Sequence, residues 1–270
     1  MDELARQERG KEIMPAPLKV FITGASSGIG AALAQHYATP GATLGLAARR
    51  AAQLRALAAT LSTQVSIYEL DVTDGAALAA AAQDFILRHG VPDIVIANAG
   101  ISAGTRADLA ADIAALSRII HTNVIGLAAT LQPFVAPMRE RGSGVLVGIA
   151  SVAGFRGLPG AGAYSASKSA AITWLEALRI ELHRSGVDVV TICPGFIATP
   201  MTAVNRNPMP FLLEAPEAAR RIARAIGART RLAIIPWQMR LVFFFLRRMP
   251  NWLYDRLFAR APRKPRDSPT

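Results

Sequence analysis

The sequence predicts an α/β protein in which a doubly wound parallel sheet of about seven strands carries helices on both faces. Short apolar runs typical of strands alternate along residues 18–235 with longer stretches of helical periodicity. A glycine-rich turn follows the first apolar run and precedes the first helical pattern. The chain has 270 residues, enough for one large domain with a sizeable core, so we expect a single domain.

Composition narrows the classes of function. Cys193 is the single cysteine, which excludes an intramolecular disulfide framework and favours a reducing, cytoplasmic setting. No apolar run approaches the ~20 residues of a bilayer span, and residues 1–14 lack the apolar core of a secretory signal. Of the net charge of +11, residues 229–270 carry +8, so the main domain gives no reason to expect nucleic-acid binding.

Charge and proline placement divide the chain into three segments. Residues 1–16 are predicted to form a flexible N-terminal arm, which ends among prolines. Residues 17–236 contain every strand and helix pattern of the predicted domain, and residues 237–270 form a basic, aromatic C-terminal tail. The four histidines show no metal-ligand spacing, so we expect no metal site.

The first predicted strand, residues 18–23, leads into a turn of small residues and then into the helical pattern 31–38. Glycines let such a turn tighten against a pyrophosphate, and the helix offers free N–H groups and its positive dipole end. A non-binding loop is the alternative, but strand, glycine turn and helix together are the context of a dinucleotide loop. The residues predicted to bind the cofactor here are Gly24, Ser26, Ser27, Gly28, Ile29 and Gly30.

The second predicted strand, residues 43–47, ends in alanine followed by Arg49 and Arg50. A carboxylate at this position would accept hydrogen bonds from an adenosine ribose and would repel a 2′-phosphate. Arginine suits phosphate instead, because its guanidinium presents planar, paired donors. The sequence therefore favours NADP(H) while leaving NAD(H) possible; the alternative is that both arginines are solvated charges beside a helix.

Turns after the third and fourth predicted strands, residues 65–70 and 93–97, complete the cofactor site. An acidic residue at the first turn is placed to accept from an adenine amino group, and an asparagine at the second can fix neighbouring main chain. Small residues beside that asparagine would let a cofactor pass close to the backbone. The residues expected to contact the cofactor from these turns are Asp71, Val72, Asn98, Ala99 and Gly100.

Helical patterns cover residues 75–89 and 108–141, the second with an expected bend near Pro133. This second helix contains Asn123, and an asparagine inside a helix is unfavourable unless it bonds something. Two roles fit the residue. It could hold a water that links Lys168 to solvent, or it could satisfy a buried backbone carbonyl.

The fifth predicted strand, residues 145–150, and the helix 161–185 carry the candidate catalytic groups. Ser151 follows the strand, at the sheet edge where ligands bind in open α/β folds. Tyr164 and Lys168 lie four residues apart, so they share a helix face. A free tyrosine has a pKa of about 10, which a nearby ammonium lowers toward the range of an efficient acid/base. Chance occurrence of this common spacing is the alternative.

The sixth predicted strand, residues 187–193, ends in a turn that should meet the nicotinamide end of a cofactor. The residues expected to contact it are Pro194, Gly195, Ile197 and Thr199. Residues 200–213 have several prolines and no clear period, which suits a substrate lid or, equally, a plain surface loop. A helix at 216–227 and a last strand at 232–235 complete the pattern.

Aromatic residues and arginines alternate in the tail over residues 237–258. This composition suits three roles: peripheral contact with the inner face of a membrane, cover for a neighbouring subunit, and cover for the substrate pocket.

The motifs together resemble those of the short-chain dehydrogenases/reductases. The matching residues are T-G-A-S-S-G-I-G at 23–30, Asp71, N-A-G at 98–100, Asn123, Ser151, Y-S-A-S-K at 164–168 and P-G at 194–195. The resemblance implies a Rossmann-type fold and a dimer or tetramer formed through the helices 108–141 and 161–185. It also implies that Tyr164 is the catalytic acid/base, that Lys168 lowers its pKa and binds the nicotinamide ribose, and that Ser151 stabilises the substrate oxygen. Asn123 would complete the proton relay.

We therefore expect an NADP(H)-dependent oxidoreductase that interconverts a secondary alcohol and a ketone. The tail is similar to that of relatives acting on lipid-like molecules, which implies a lipophilic small-molecule substrate. The alternative is a sensor or scaffold that binds the cofactor without turnover. The complete set of Ser151, Tyr164 and Lys168 disfavours this alternative, because a sensor needs no proton relay.

Overall fold

A seven-stranded parallel sheet in the order β3-β2-β1-β4-β5-β6-β9 organises the chain, so the predicted fold class is confirmed. The computed structural model describes residues 17–205 and 208–259. A separate two-stranded ribbon pairs β7 with β8. The strands are β1 (Lys19–Thr23), β2 (Thr43–Ala48), β3 (Gln64–Glu69), β4 (Ile94–Ala97), β5 (Gly144–Ile149), β6 (Val187–Pro194), β7 (Ile197–Ala198), β8 (Leu213–Glu214) and β9 (Leu232–Ile235).

Helices connect the strands and cover both faces of the sheet. They are α1 (Gly28–Tyr37), α2 (Ala51–Ala58), α3 (Gly75–His89), α4 (Asp112–Ile120), α5 (Gly126–Arg141), α6 (Gly162–Glu181), α7 (Pro200–Ala203), α8 (Ala215–Gly227), α9 (Trp237–Arg248) and α10 (Asn251–Phe258). A π-helical turn, His121–Ile125, joins α4 to α5, and a short 3-10 helix, Val152–Gly154, follows β5.

The sheet separates two apolar layers. In β1, Val20 and Ile22 are buried in a cluster with α1 and α8, whereas Phe21 is buried in a cluster with α3, α5 and α6. Strands buried on both faces read as continuous apolar runs, and β2, β4 and β5 are buried along their whole length. This double burial fixes the positions of the loops at the carboxyl ends of the strands.

The predicted helix 108–141 is not a regular α-helix along its whole length. It begins at Asp112, and its irregularity is the π-helical turn His121–Ile125, while Pro133 lies inside the regular α5. The helix thus continues through Pro133, and its departure from regular α-helical geometry lies about ten residues earlier. The π-helical turn lies at this position because the buried side chain of Asn123 forms hydrogen bonds with the main chain of a neighbouring loop.

The helical stretch Asp112–Arg141 is long and apolar enough to cross a membrane by length and composition alone. Core helices pass the same test when their apolar side chains pack inside a protein. Leu127, Leu131 and Phe134 are buried here in the layer beside Phe21. Packing within the protein accounts for these three side chains, whereas Ile113 and Ile125 of the same stretch are exposed.

The predicted lid, residues 200–213, contains ordered elements at both ends. Thr199 and Thr202 form a capping box that starts α7, and Ile197 in β7 pairs with Leu213 in β8. Residues 206 and 207 lie outside the described part of the chain. The segment is thus anchored beside β6 at both ends.

The described part of the predicted tail forms α9 and α10. Met239 and Phe243 of α9 are buried in a small cluster with Ala150, Val152 and Cys193, which flank the end of β5 and lie in β6. The N-terminal arm, residues 1–16, and the end of the tail, residues 260–270, lie outside the described residues. One face of α9 thus packs close to Ser151.

Candidate active site

A cavity of about 350 Å³ opens at the carboxyl ends of the strands, where β1 and β4 lie side by side and the strand order reverses. Gly30 and Asn123 lie outside its wall, and all other predicted site residues line it. These are Gly24, Ser26, Ser27, Gly28, Ile29, Arg49, Arg50, Asp71, Val72, Asn98, Ala99, Gly100, Ser151, Tyr164, Lys168, Pro194, Gly195, Ile197 and Thr199.

Several lining residues were missed by the sequence reasoning. They are Ala48, Leu70, Ile101, Ser102, Thr122, Ile149, Ala150, Pro200, Met201 and Thr202, the last three of which belong to the predicted lid. Most carry small or apolar side chains, which have no chemistry to distinguish them from core residues. The only usable signal was their position next to a motif.

The glycine loop after β1 leaves no room for side chains. A Cβ on Gly24 would lie 2.7 Å from Ala99 Cα, and a Cβ on Gly30 would collide with the carbonyl oxygen of Gly24. Gly24 and Gly28 have φ angles of +68° and +57°, which favour glycine. The first N–H groups of α1 carry no side-chain cap, and Gly28 and Ile29 line the cavity, so the loop fits a pyrophosphate.

Asn98 holds the glycine loop from the next strand. Its Nδ2 donates to Thr23 O at 3.0 Å and to Gly24 O at 3.2 Å, while its own N–H donates to Thr23 Oγ1 at 3.2 Å. These bonds tie the ends of β1 and β4 together. The predicted fixing of main chain by Asn98 is therefore present in the structure.

Arg49 and Arg50 stand at the end of β2, beside the glycine loop. Arg50 Nη2 donates to Ser26 Oγ at 2.9 Å and to Ser27 Oγ at 2.7 Å. Arg49 Nη1 forms an ion pair with Asp71 Oδ2 at 3.5 Å, with both side chains substantially exposed. The two guanidiniums thus have defined partners at the cavity rim rather than only water.

Asp71 has a pKa below its ordinary value. Partial burial alone would raise this pKa, but the N–H and hydroxyl of Thr73 both donate to Asp71 Oδ1 at 2.9 Å, and Arg49 adds its positive charge. The carboxyl is therefore ionised at neutral pH and can accept hydrogen bonds.

Ser151, Tyr164 and Lys168 come together at one wall of the cavity. Ser151 is buried between β5 and the 3-10 helix, where its Oγ accepts from Ala153 N at 3.1 Å. Lys168 is 4% exposed, and its Nζ lies 5.8 Å from the centroid of the Tyr164 ring. The three side chains expected to handle a proton therefore lie within a few ångströms of one another.

The expected lowering of the Tyr164 pKa by Lys168 is wrong for the structure described here. Burial raises the pKa of Tyr164, and a hydrogen bond with Ser151 offsets part of that rise. Lys168 Nζ instead donates to Ile149 O at 2.8 Å. Burial therefore sets the direction of the Tyr164 pKa, and Tyr164 keeps its proton at neutral pH.

Asn123 is completely buried behind the cavity wall. Its Oδ1 accepts from Ile101 N at 2.8 Å, and its Nδ2 donates to Ile101 O at 3.0 Å and to Ser167 Oγ at 2.9 Å. A Cβ on Gly100 would lie 3.2 Å from Asn123 Oδ1 and 3.4 Å from Lys168 Nζ. The structural role considered for Asn123 is therefore present, and a role in a proton relay stays a prediction.

Lys168 makes stability depend on pH. Burial lowers the pKa of Lys168 from 10.5 to about 8. Between these values the unfolded state binds more protons than the folded state, so the free energy of unfolding rises with pH across that window. Between pH 7 and pH 9 we expect this group to add about 1 kcal/mol. Urea unfolding of wild type and Lys168→Met at both pH values measures the difference.

The comparison with Lys168→Met separates the contribution of Lys168 to the pH dependence of stability from that of Cys193. Burial raises the pKa of the Cys193 thiol from 9.0 to about 12, so this group acts in the opposite sense above pH 9. Cys193 is present in both proteins and largely cancels in the difference. Identical pH responses of the two proteins would contradict the expected lysine contribution.

Arg156 joins the loop after Ser151 to the C-terminal helices. Its Nη1 donates to Leu246 O at 2.7 Å and to Met249 O at 2.9 Å, and its Nη2 donates to Asn251 Oδ1 at 2.9 Å. Leu246 and Met249 lie in and just after the last turn of α9, where helix carbonyls lack intrahelical partners. The guanidinium thus caps α9 and binds the start of α10.

Two aromatic contacts reinforce this connection. Arg156 Cζ lies 4.1 Å from the centroid of the Tyr254 ring, whose hydroxyl donates to Gly157 O at 2.7 Å. The rings of Phe155 and Phe243 pack with their centroids 6.1 Å apart. We call this set of contacts the Arg156 clamp.

Replacing Arg156 with methionine is expected to lower the free energy of unfolding by about 2 kcal/mol. The change leaves carbonyls of α9 without their charged donor while keeping the length and apolar character of the side chain. Urea unfolding of the variant measures the loss, with the exposed Arg55→Met of α2 as the matched control. Equal midpoints for both variants would show that the clamp contributes nothing.

Comparisons with known proteins agree with the geometry. A family model described as short chain dehydrogenase matches residues 19–209. An uncharacterized oxidoreductase of Myxococcus xanthus (strain DK1622) is 40% identical over 238 residues, which are 87% of this chain and 94% of the relative. The resemblance stated from the motifs is thereby confirmed.

Solved structures show the same similarity. A short-chain dehydrogenase from Streptomyces avermitilis superposes with a TM-score of 0.76 at 26% identity, covering 90% of this chain and 94% of that one. A 3-ketoacyl-(acyl-carrier-protein) reductase from Brucella melitensis, complexed with NADH, gives a TM-score of 0.75 at 25% identity, covering 81% and 96%. Because the family model covers most of the chain and its motif residues gather at one cavity, the chain belongs to the short-chain dehydrogenase/reductase family of nicotinamide-dependent oxidoreductases.

Proposed function

We propose that the protein is an NADP(H)-dependent oxidoreductase that interconverts a secondary alcohol and a ketone, with Tyr164 as the acid/base. The observation that carries this proposal is the grouping of Tyr164, Ser151 and Lys168 at one wall of a cavity whose opposite end suits a dinucleotide. When bound, the nicotinamide supplies a hydride to the ketone or accepts one from the alcohol.

Tyr164, Ser151 and Lys168 have different roles toward the substrate oxygen. Tyr164 holds its proton at neutral pH, so its hydroxyl can donate that proton to a carbonyl oxygen as charge develops there. Ser151, buried beside it, contributes a second donor to the same oxygen. Lys168, whose Nζ lies 5.8 Å from the centroid of the Tyr164 ring, would stabilise the phenolate that remains and would hold the nicotinamide ribose.

The preference for NADP(H) rests on Arg49 and Arg50. Both guanidiniums stand at the rim beside Ser26, Ser27 and Asp71, where a 2′-phosphate on the adenosine ribose would lie. Arginine binds phosphate oxygens through paired N–H donors, and two positive charges at this rim favour the phosphorylated cofactor.

Exposed apolar side chains of the segment 200–213 support a lipophilic substrate. Met201 lines the cavity and is 37% exposed, and Phe211 and Leu212 of the same segment are 47% and 42% exposed. We propose that residues 200–213 cover the substrate. Their contact with an apolar chain would remove this exposed surface from water.

An activity panel tests the proposed reaction. Ketones and secondary alcohols of graded chain length are offered with NADPH, NADH or their oxidised forms, and absorbance of the reduced cofactor is followed. We expect turnover with NADPH that rises with chain length. Tight cofactor binding without turnover on any substrate would instead favour the sensor or scaffold.

The proposed assembly is a homodimer or homotetramer in the cytoplasm. Ile113 of α4, Ile125 of the π-helical turn and Ile180 of α6 are 63%, 52% and 62% exposed, so these helices present apolar surface to a partner. Light scattering of the purified protein gives the mass directly, and a monomer at micromolar concentration would contradict this assignment.

A further inference from the structure

We propose that the exposed face of the two C-terminal helices docks on an anionic lipid bilayer. The docking face consists of exposed apolar and basic side chains of α9 and α10: Trp237, Leu241, Phe244, Phe245, Trp252, Leu257, Arg240, Arg247, Arg248 and Arg256. This proposal concerns binding alone, so it stands or falls independently of the reaction proposed above.

Helix α9 has two apolar sides, and within residues 17–205 and 208–259 only one of them packs against the core. Met239 and Phe243 are buried against the end of β5 and β6. Trp237, Leu241 and Phe245, spaced four residues apart, are 64%, 51% and 66% exposed. Residues four apart lie on one helix face, so these three side chains form a continuous stripe directed away from the core.

The exposed apolar surface is concentrated on this part of the chain. Seven of the fifteen exposed large apolar side chains among the described residues lie on α9 and α10. Trp252 and Leu257 of α10 are 70% and 57% exposed, whereas Tyr254 of the same helix is buried by the Arg156 clamp. A concentrated apolar patch of this kind marks an interaction surface.

The charge of the docking face favours an anionic bilayer over a second copy of the chain as its partner. The docking face carries four arginines, and Asp255 is the one acidic residue within α9 and α10. Two copies facing each other would bring arginines against arginines, which is repulsive, whereas an anionic bilayer attracts them. Arg248 Cζ also lies 3.8 Å from the centroid of the Phe244 ring, a pairing of charge and aromatic ring suited to the headgroup region.

A cleft beside α9 provides a site for the headgroup itself. It has a volume of about 190 Å³, and its lining includes three apolar side chains and three arginines: Phe155, Ile172, Leu232, Arg179, Arg231 and Arg247. Glu176 pairs with Arg179 at 3.6 Å, and no carboxylate of residues 17–205 and 208–259 pairs with the other two arginines. The cleft is smaller than a typical pocket for a whole ligand, and its arginines suit a lipid phosphate.

Vesicle co-sedimentation with the full-length protein tests the proposal. Vesicles of phosphatidylcholine alone are compared with vesicles that also contain phosphatidylserine, and we expect at least about tenfold tighter binding to the anionic vesicles. Arg231→Gln/Arg247→Gln removes charge from the lining of the cleft and is expected to weaken that binding about tenfold. Trp237→Ser/Phe245→Ser removes apolar contact and is expected to weaken it to a similar extent.

The matched control is Arg55→Gln/Arg139→Gln, which removes the same charge from exposed positions on α2 and α5. We expect this control to bind anionic vesicles within about twofold of the wild type. Equal loss in the control and the cleft variant, or equal binding to both vesicle types, would overturn the proposal. Light scattering provides a second readout, because a smaller oligomer for Trp237→Ser/Phe245→Ser would assign this face to a second copy.

Discussion

The Tyr164→Phe variant is expected to lose about 10³-fold in kcat for ketone reduction while its affinity for NADPH stays nearly unchanged. Phenylalanine fills the same space at the cavity wall but has no proton to donate, and Ser151 and Lys168 remain in place. The loss should therefore fall on the chemical step and leave binding of the cofactor intact. Steady-state kinetics and a fluorescence titration with NADPH measure the two quantities separately.

Tyr37→Phe is the matched control for the tyrosine experiment. Tyr37 is also a buried phenol whose pKa is raised by burial, but it packs in the apolar layer of α1 and does not line the cavity. Its kcat should equal that of the wild type. A Tyr164→Phe variant that kept a tenth or more of the activity would show that another group transfers the proton.

Replacing both Arg49 and Arg50 with alanine is expected to raise the Kd for NADPH about 100-fold, because two charge-assisted contacts to the 2′-phosphate are lost. The Kd for NADH should change by much less, since NADH has no phosphate at that position. Isothermal titration calorimetry with each cofactor provides the ratio of the two dissociation constants.

The control for this experiment is Arg55→Ala, which removes an exposed positive charge from α2, five residues beyond Arg50. It should leave both dissociation constants within about twofold, because Arg55 does not line the cavity. If the double variant weakened NADPH and NADH by the same factor, the arginines would shape the rim generally and would not select the phosphate.

Local sequence patterns were sufficient to predict the strands of the sheet and most of the residues that line the cavity. The predicted first strand, residues 18–23, corresponds to β1 at Lys19–Thr23, and the last, residues 232–235, corresponds to β9. Glycine spacing and the tyrosine–lysine pair also identified residues that line one cavity. These features depend on neighbours in sequence, and the parallel sheet then brings the strand ends together.

Features that depend on distant parts of the chain were not predictable. Arg156 gave no signal in the sequence, because its partners Leu246 and Met249 lie about ninety residues later. The direction of the Tyr164 pKa was missed for a related reason. How deeply the phenol is buried, and that Lys168 bonds Ile149 O, are set by tertiary packing and not by the spacing of two residues on a helix.

The π-helical turn at His121–Ile125 makes the orientation of Asn123 sensitive to the deletion of a single residue. Such a turn holds one residue more than a regular helix would, so deleting one residue upstream of Asn123 could straighten the helix without breaking it. The Asn123 side chain would then rotate by about 100° around the helix axis and would lose its hydrogen bonds to the main chain of Ile101. A deletion that leaves helix content intact would thus detach the loop behind Gly100 from the wall that carries Lys168.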